Sequence, residues 1–236
     1  MRCGALQRRP NVPFQQARKR FCAFVDSETA IRVDFSADRV GSGRIGKRGA
    51  GFDRFRVQVL ANLIGVVYMR VRTAFEARDG PLLRTLAALM ADAIDSLDTV
   101  LGTQSAFLFG RWIADARRMA HTTAEADLFE FNARNLVTMW GPHGEWEDYS
   151  SKHWAGLVKE YYGHRWRLFL DALLHAADYN NWRFDEFRDF HEPCRKFELQ
   201  WQHARTSFDT SAKGDAIAIA SEISVRFDVD LQALCG

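Results

Sequence analysis

Proline is scarce in this chain, five among 236 residues, and glycine reaches only 16, so collagen-like and low-complexity classes are excluded. Cysteine is scarcer: Cys3, Cys22, Cys194 and Cys235 are scattered, with no C-x-x-C pair. Neither a zinc ribbon nor a disulfide scaffold is therefore expected. No apolar run approaches the ~20 residues of a membrane span; the longest, Leu63 to Met69, stops at Arg70. The opening MRCGALQRRP lacks an apolar core, so no secretory signal is expected. H-E-x-x-H is absent, and no E-x-x-H pair recurs as a di-iron bundle would need, so no metal site and no cofactor are expected.

What is present is ordinary for a globular chain: 47% hydrophobic and 26% charged residues. This rules out wholesale disorder and is enough to bury one sizeable core. The net charge of +2 hides an asymmetry. Residues 1–50 hold 11 basic and 4 acidic residues, 11 − 4 = +7, and the remainder carries −5. A +7 arm could hold nucleic acid with a steep salt dependence. The mildly acidic body has the wrong sign for such a partner, so nucleic acid is not expected. The arm ends in GSGRIGKRGAG. It spells a loose G-x-G-x-x-G, but more glycine and arginine follow where a dinucleotide loop needs a helix, so it reads as a flexible linker.

From Phe52 onward the pattern is helical. Leu63, Val67, Val71 and Phe75 recur at four-residue steps until Asp79-Gly80-Pro81 stops them. Leu82 to Leu101 forms a second stripe, and Ser105 to Ala120 a third with Phe109, Trp112, Ile113, Ala116 and Met119 inward. Thr122 and Glu125 spell a capping box for a helix running to about Met139. After the Gly141-Pro142-His143-Gly144 turn, a helix is expected from Tyr149–Ser151, with a break permitted at Gly163. Phe184 to about Arg205 is a further helical stretch interrupted or started at Pro193, and Asp215 can cap the last. The expected fold class is all-α: an antiparallel array of about seven helices, residues 52–236, behind a poorly ordered basic N-terminal arm, residues 1–51.

All seven tryptophans lie between Trp112 and Trp201. Most sit on helical stripes and are expected in the core; Trp140 and Trp146 instead flank the Gly-Pro turn, where functional groups tend to gather. Glu145, Glu147 and Asp148 follow that turn, and Asp148 could cap a helix. Glu160/His164 and Asp171/His175 read as helix-surface pairs. Cys194 beside His191 is a weak nucleophile signal, because sequence adjacency does not set thiol–imidazole geometry. Arg134 and Arg165 lie in apolar stretches and should be paired, since an unpaired buried charge is costly.

Longer spellings carry more. FLFGRWIADAR, Phe107 to Arg117, resembles the FLLGxWLxxAR segment of alpha-N-acetylglucosaminidases, glycoside hydrolase family 89. AEADLFEFNARNLVTMWGPHGEWEDY, Ala124 to Tyr149, resembles that family's EADxYExNxRxxxTxWGPxGxxxDY. KHWAGLVKEYYGHRWRLFLDAL, Lys152 to Leu173, resembles its KxxAGLVxxYYxxRWxLFxxAL. The resemblance covers about four-fifths of the chain and implies the C-terminal helical domain only. In that family two carboxylates on an upstream (β/α)8-type barrel cleave terminal alpha-linked N-acetylglucosamine without a metal. No catalytic residue is therefore carried over to this chain. Residues 1–51, which do not resemble the family, are either a genuine arm or a gene-model artefact. The implied partners are the barrel and, through the complete enzyme, an N-acetylglucosamine-containing glycan; no membrane is expected. Relatives are lysosomal or secreted. By the same resemblance, Trp140 and Tyr149 are the candidate substrate-binding residues: Trp140 would stack on a sugar face and Tyr149 would hydrogen-bond a hydroxyl. Trp140 could equally plug the turn onto the core. A non-catalytic helical interaction module is the alternative reading.

Overall fold

A computed structural model describes residues 49–141 and 147–235. The arm up to residue 48, with its G-x-G-x-x-G spelling, and residues 142–146, which include Glu145 and Trp146, lie outside the described residues. Seven α-helices are found among the described residues, and no strand beyond one isolated bridge. The fold is all-α.

Helices α1 (Gly49–Glu76) and α2 (Gly80–Leu101) are joined by a three-residue turn and run back along each other. The turn is where the sequence places it: the Asp79 carboxylate accepts from the Leu82 N–H at 3.0 Å, and Pro81 stands in the first turn of α2. Leu63, Ile64, Val67 and Val71 of α1 meet Leu83, Leu86, Met90 and Leu97 of α2 in one core cluster. Fully burying one such side chain contributes roughly 1.5–3 kcal/mol. The helix begins at Gly49, inside the stretch read as linker. Propagating a helix costs far less per residue than nucleating one, so the apolar stripe downstream carries the last glycines with it.

The third expected helix is shorter than its pattern. A 3₁₀ turn (Ser105–Phe107) precedes α3 (Phe109–Arg118). Met119, expected inward, falls at the C-cap where the chain turns away and is 69% exposed. The next helix, α4 (Thr123–Leu136), opens with the capping box read from sequence: Glu125 N–H donates to Thr122 Oγ1 at 3.2 Å, and the Glu125 carboxylate accepts from the Thr122 N–H at 3.2 Å.

The helix expected from Tyr149–Ser151 does not start there. Residues 151–154 are irregular, and Ala155 forms a parallel bridge with Leu108. Ala155 N–H donates to Phe107 O at 2.7 Å, and Phe109 N–H donates to Ala155 O at 3.1 Å. These groups are spent on the bridge, so the helix waits until a wide π turn (Val158–Tyr162) that runs into α5 (Gly163–Asp178). The change of pitch falls at Gly163, where a break was expected. Its N-terminus is closed by Asp98 of α2, whose Oδ1 accepts from Gly156 N–H at 2.7 Å and Lys159 N–H at 3.0 Å. A second π turn (Glu186–His191) leads into α6 (Glu192–His203), with Pro193 in its first turn. The last helix, α7 (Ala216–Cys235), is capped by Asp215, which accepts from the Ile217 and Ala218 N–H groups at 2.8 Å. No described helix is long and apolar enough to cross a membrane.

Aromatic rings knit the layers. Tyr68 of α1 lies 5.5 Å from the Trp166 ring and 6.1 Å from Phe169 of α5. Phe109 stacks on Trp201 of α6 at 5.7 Å. Most tryptophans are thus core residues, as their helical spacing suggests.

Candidate functional site

The two residues singled out near the Gly-Pro turn are brought together. At the end of α4, Thr138 turns its hydroxyl back onto Arg134 O at 2.7 Å, and Trp140 N–H donates to Asn135 O at 2.8 Å. Trp140 then adopts φ 38° and Gly141 φ 111°, reversing the chain. The chain returns at Asp148, whose N–H donates to Thr138 O at 2.7 Å. Asp148 is itself left-handed, φ 61°, and this aims Tyr149 at Trp140. Their ring centroids lie 5.2 Å apart at 86°, edge to face. Trp140 is half-buried and Tyr149 is 72% exposed. Left-handed backbone at two non-glycine residues costs on the order of 1–3 kcal/mol each and persists only where surrounding contacts over-determine it.

Those contacts lie directly beneath. Both Asp148 carboxylate oxygens are 2.9 Å from Arg165 Nη1. Asp148 is therefore an ion-pair anchor, not the helix cap expected of it, because the helix that it would have capped starts only at the Val158–Tyr162 turn. Arg165 is fully buried, with Glu198 Oε1 of α6 at 3.3 Å from Nε and the Tyr161 ring 5.3 Å from its guanidinium carbon. Burial alone would depress the guanidinium, but the negative charge of Asp148, with Tyr161, Cys194 and Glu198 behind it, outweighs that and holds it protonated. Tyr162 adds a brace, donating its hydroxyl to Val137 O at 3.1 Å. Burial pushes its phenol well above the usual range. Gln202 Nε2 donates to Asn135 Oδ1 at 3.0 Å, tying α6 to the same end of α4.

Arg134 is also fully buried and paired, as its apolar setting requires, but it does different work. Its Nε and Nη2 donate to Glu130 Oε1 at 2.9 and 2.7 Å, and Nη2 reaches Thr206 O at 3.1 Å. The guanidinium carbon lies 4.7 Å from the Trp201 ring and 5.2 Å from Phe208. It staples α4 to α6 and to the loop that follows. The i,i+4 spacing of Glu130 and Arg134 was a legible signal for this pair. Asp148 and Glu198 as partners of Arg165 had no local signal.

The remaining candidates disperse. Cys194 is buried and its thiol donates to Glu198 Oε1 at 3.3 Å; His191 turns to Glu186 at 3.2 Å. His164 stacks on Phe197 with centroids 4.0 Å apart, and His175 lies 4.6 Å from Tyr179, so ring contacts hold the histidines read as partners of Glu160 and Asp171. Among the described residues no group of three or more His, Cys, Asp or Glu is placed to hold a metal ion. Glu147 stands beside Asp148, half-buried against the same turn.

Residues 53–226 match the family profile of the alpha-N-acetylglucosaminidase (NAGLU) C-terminal domain. Alpha-N-acetylglucosaminidase of Homo sapiens is 33% identical over 171 residues, 72% of this chain and 23% of that protein. A family 89 glycoside hydrolase from Clostridium perfringens, solved in complex with its substrate GlcNAc-alpha-1,4-galactose, aligns with a TM-score of 0.65 and 29% identity over 75% of this chain and 20% of its own. The enzyme of the same family and organism in complex with PUGNAc gives a TM-score of 0.64 at 28% identity, over 73% of this chain and 20% of its own. The chain thus spans about a fifth to a quarter of the length of these relatives.

Proposed function

The chain belongs to the family of alpha-N-acetylglucosaminidase C-terminal domains, and from that premise we propose that it serves a family 89 glycoside hydrolase by supporting, and partly walling, the active site of a (β/α)8 catalytic barrel. On this reading the helical domain spans about residues 52–236, and the groups that break the glycosidic bond belong to the barrel. Trp140 stacks on an apolar face of an N-acetylglucosamine residue and Tyr149 hydrogen-bonds a hydroxyl. The observation that carries the reading is the coverage: matches take up most of this chain but only 20–23% of its relatives, and the described residues are helical where a barrel needs strands. The Trp140–Tyr149 pair, with Tyr149 exposed, supports the wall assignment, because left-handed backbone at Trp140 and at Asp148 before Tyr149 is costly to hold without a use.

The purified chain should give no turnover of an aryl alpha-N-acetylglucosaminide. Measurable hydrolysis by the chain alone would refute the reading. Joined to a family 89 barrel, Trp140→Ala should raise KM about tenfold, the cost of one lost stacking face. An unchanged KM would remove Trp140 from the wall.

One observation favours the alternative, a non-catalytic interaction module. Met119, Leu128 and Leu136 leave apolar surface exposed on α3 and α4. Association with the barrel in trans separates the two readings, since the module reading predicts indifference to it.

A further inference from the structure

We propose that Arg165 is a positioning residue for the Trp140–Tyr149 pair, acting through Asp148. For its functional meaning the inference rests on the wall reading above; its geometry does not. The side chain of Tyr149 leaves the backbone directly after the left-handed Asp148, so the conformation of Asp148 sets where the Tyr149 ring points. Asp148 is tied at two points: its N–H on Thr138 O fixes the backbone against the end of α4, and its carboxylate on Arg165 fixes the side chain to α5. Arg165 is fixed in turn from α6 by Glu198, against which Cys194 is also hydrogen-bonded. Groups from three helices are therefore linked through Asp148, eight residues beyond Trp140 along the chain.

Stability alone is a poor reason for this arrangement. Replacing a buried ion pair by apolar residues of similar volume is often neutral or stabilising, whereas holding one conformation against others is a role that such pairs can fill. Arg134 provides the contrast within the same molecule. Its partners, Glu130, Thr206 O and the Trp201 and Phe208 rings, join helices to each other and do not include the turn. A planar guanidinium suits the Arg165 role. It stays charged when buried and offers its donors in a fixed plane, where an ammonium would be a rotating point charge.

The test is NMR on the full 236-residue chain, reading the cross-relaxation peak between the Trp140 indole and the Tyr149 ring, which 5.2 Å between centroids makes observable. Arg165→Lys should abolish that peak while far-UV circular dichroism remains helical. Asp148→Gly should abolish it too. Circular dichroism is read on that variant as well, because glycine accepts the left-handed backbone at no steric cost but the buried Arg165 charge loses a partner with the carboxylate. Arg134→Lys should lower the melting temperature yet keep the peak. Retention of the peak in a folded Arg165→Lys or Asp148→Gly protein overturns the proposal. So does its loss in Arg134→Lys, which would make the effect one of general stability, and so does its absence from the parent protein. No sugar enters the experiment, so its failure is distinct from failure of the wall reading, which the KM of Trp140→Ala decides.

Discussion

Asp98 should make this domain more stable in acid than a carboxylate ordinarily would, and Asp98→Asn should erase the effect. Asp98 lies on α2, half-buried, and burial raises its pKa from 3.8 to about 6 against the pull of the Gly156 and Lys159 N–H groups and the Lys159 charge; Asp95 pushes the same way as burial. Glu160, Asp209 and Lys213 line the same crevice, of about 500 Å³. The folded state thus binds the proton more tightly than the unfolded chain. Stability from this group is fully present below pH 3.8, falls as pH rises to about 6, and is lost above that. Roughly two pKa units at ~1.4 kcal/mol each make about 3 kcal/mol between pH 3.5 and pH 7.5. Asparagine keeps the geometry, because both backbone donors land on the one oxygen Oδ1. Asp98→Asn should then exceed the parent by about 2–3 kcal/mol at pH 7.5, roughly 5–10 °C in Tm, and match it near pH 3.5. Asp98→Ala also sheds the charge but drops two hydrogen bonds, about 1 kcal/mol each, so it should fall below the parent by about 2 kcal/mol in acid. The assay is urea denaturation of parent and variants from pH 3.5 to 8, read as the difference between them. Burial lowers the pKa of His164, which weakens the fold as pH drops below 6.5, so the parent's curve alone would mix two opposite slopes. A parent-minus-Asn difference that does not vary with pH would refute the reasoning.

Three further outcomes are expected. A methyl group on Gly110 would overlap the backbone of Phe208 and Asp209, which has no flexible end to yield, so Gly110→Ala should cost roughly 1–3 kcal/mol in denaturant unfolding and expose the 204–215 loop to proteolysis. Glu130→Ala strands the buried Arg134 charge and should cost about 3–5 kcal/mol, whereas Arg134→Met with Glu130→Gln should recover much of it; a double variant as unstable as the single would show that the charge is not the cause. Thr122→Ala removes one half of the capping box and should lower stability by about 1 kcal/mol, about 2–4 °C in Tm by calorimetry.

The helices were readable from spacing because the rule that makes them is local. A residue meets its neighbours at i+3 and i+4, so the stripes of α1 and α2, the Thr122–Glu125 box, the Asp79 stop, the Asp215 cap and the Glu130–Arg134 pair could all be seen in a short stretch of chain. The burial and pairing of Arg134 and Arg165 followed from an equally simple cost, that of charge in an apolar setting, and the family spellings around the WGP turn marked where to look. What could not be read was every contact made across the fold. Asp98 closes a helix 58 residues away, Ala155 stays extended because Leu108 and its neighbours claim its backbone groups, and Asp148 turns from a cap into an anchor because Arg165 arrives beneath it. Trp140 and Tyr149 are nine positions apart, and neither period 2 nor period 3.6 puts them side by side; two left-handed residues and three converging helices do. Local periodicity states which face of a segment is apolar, but the partner of a polar group is chosen by whichever segment packs against it, and that is settled only when the chain has folded.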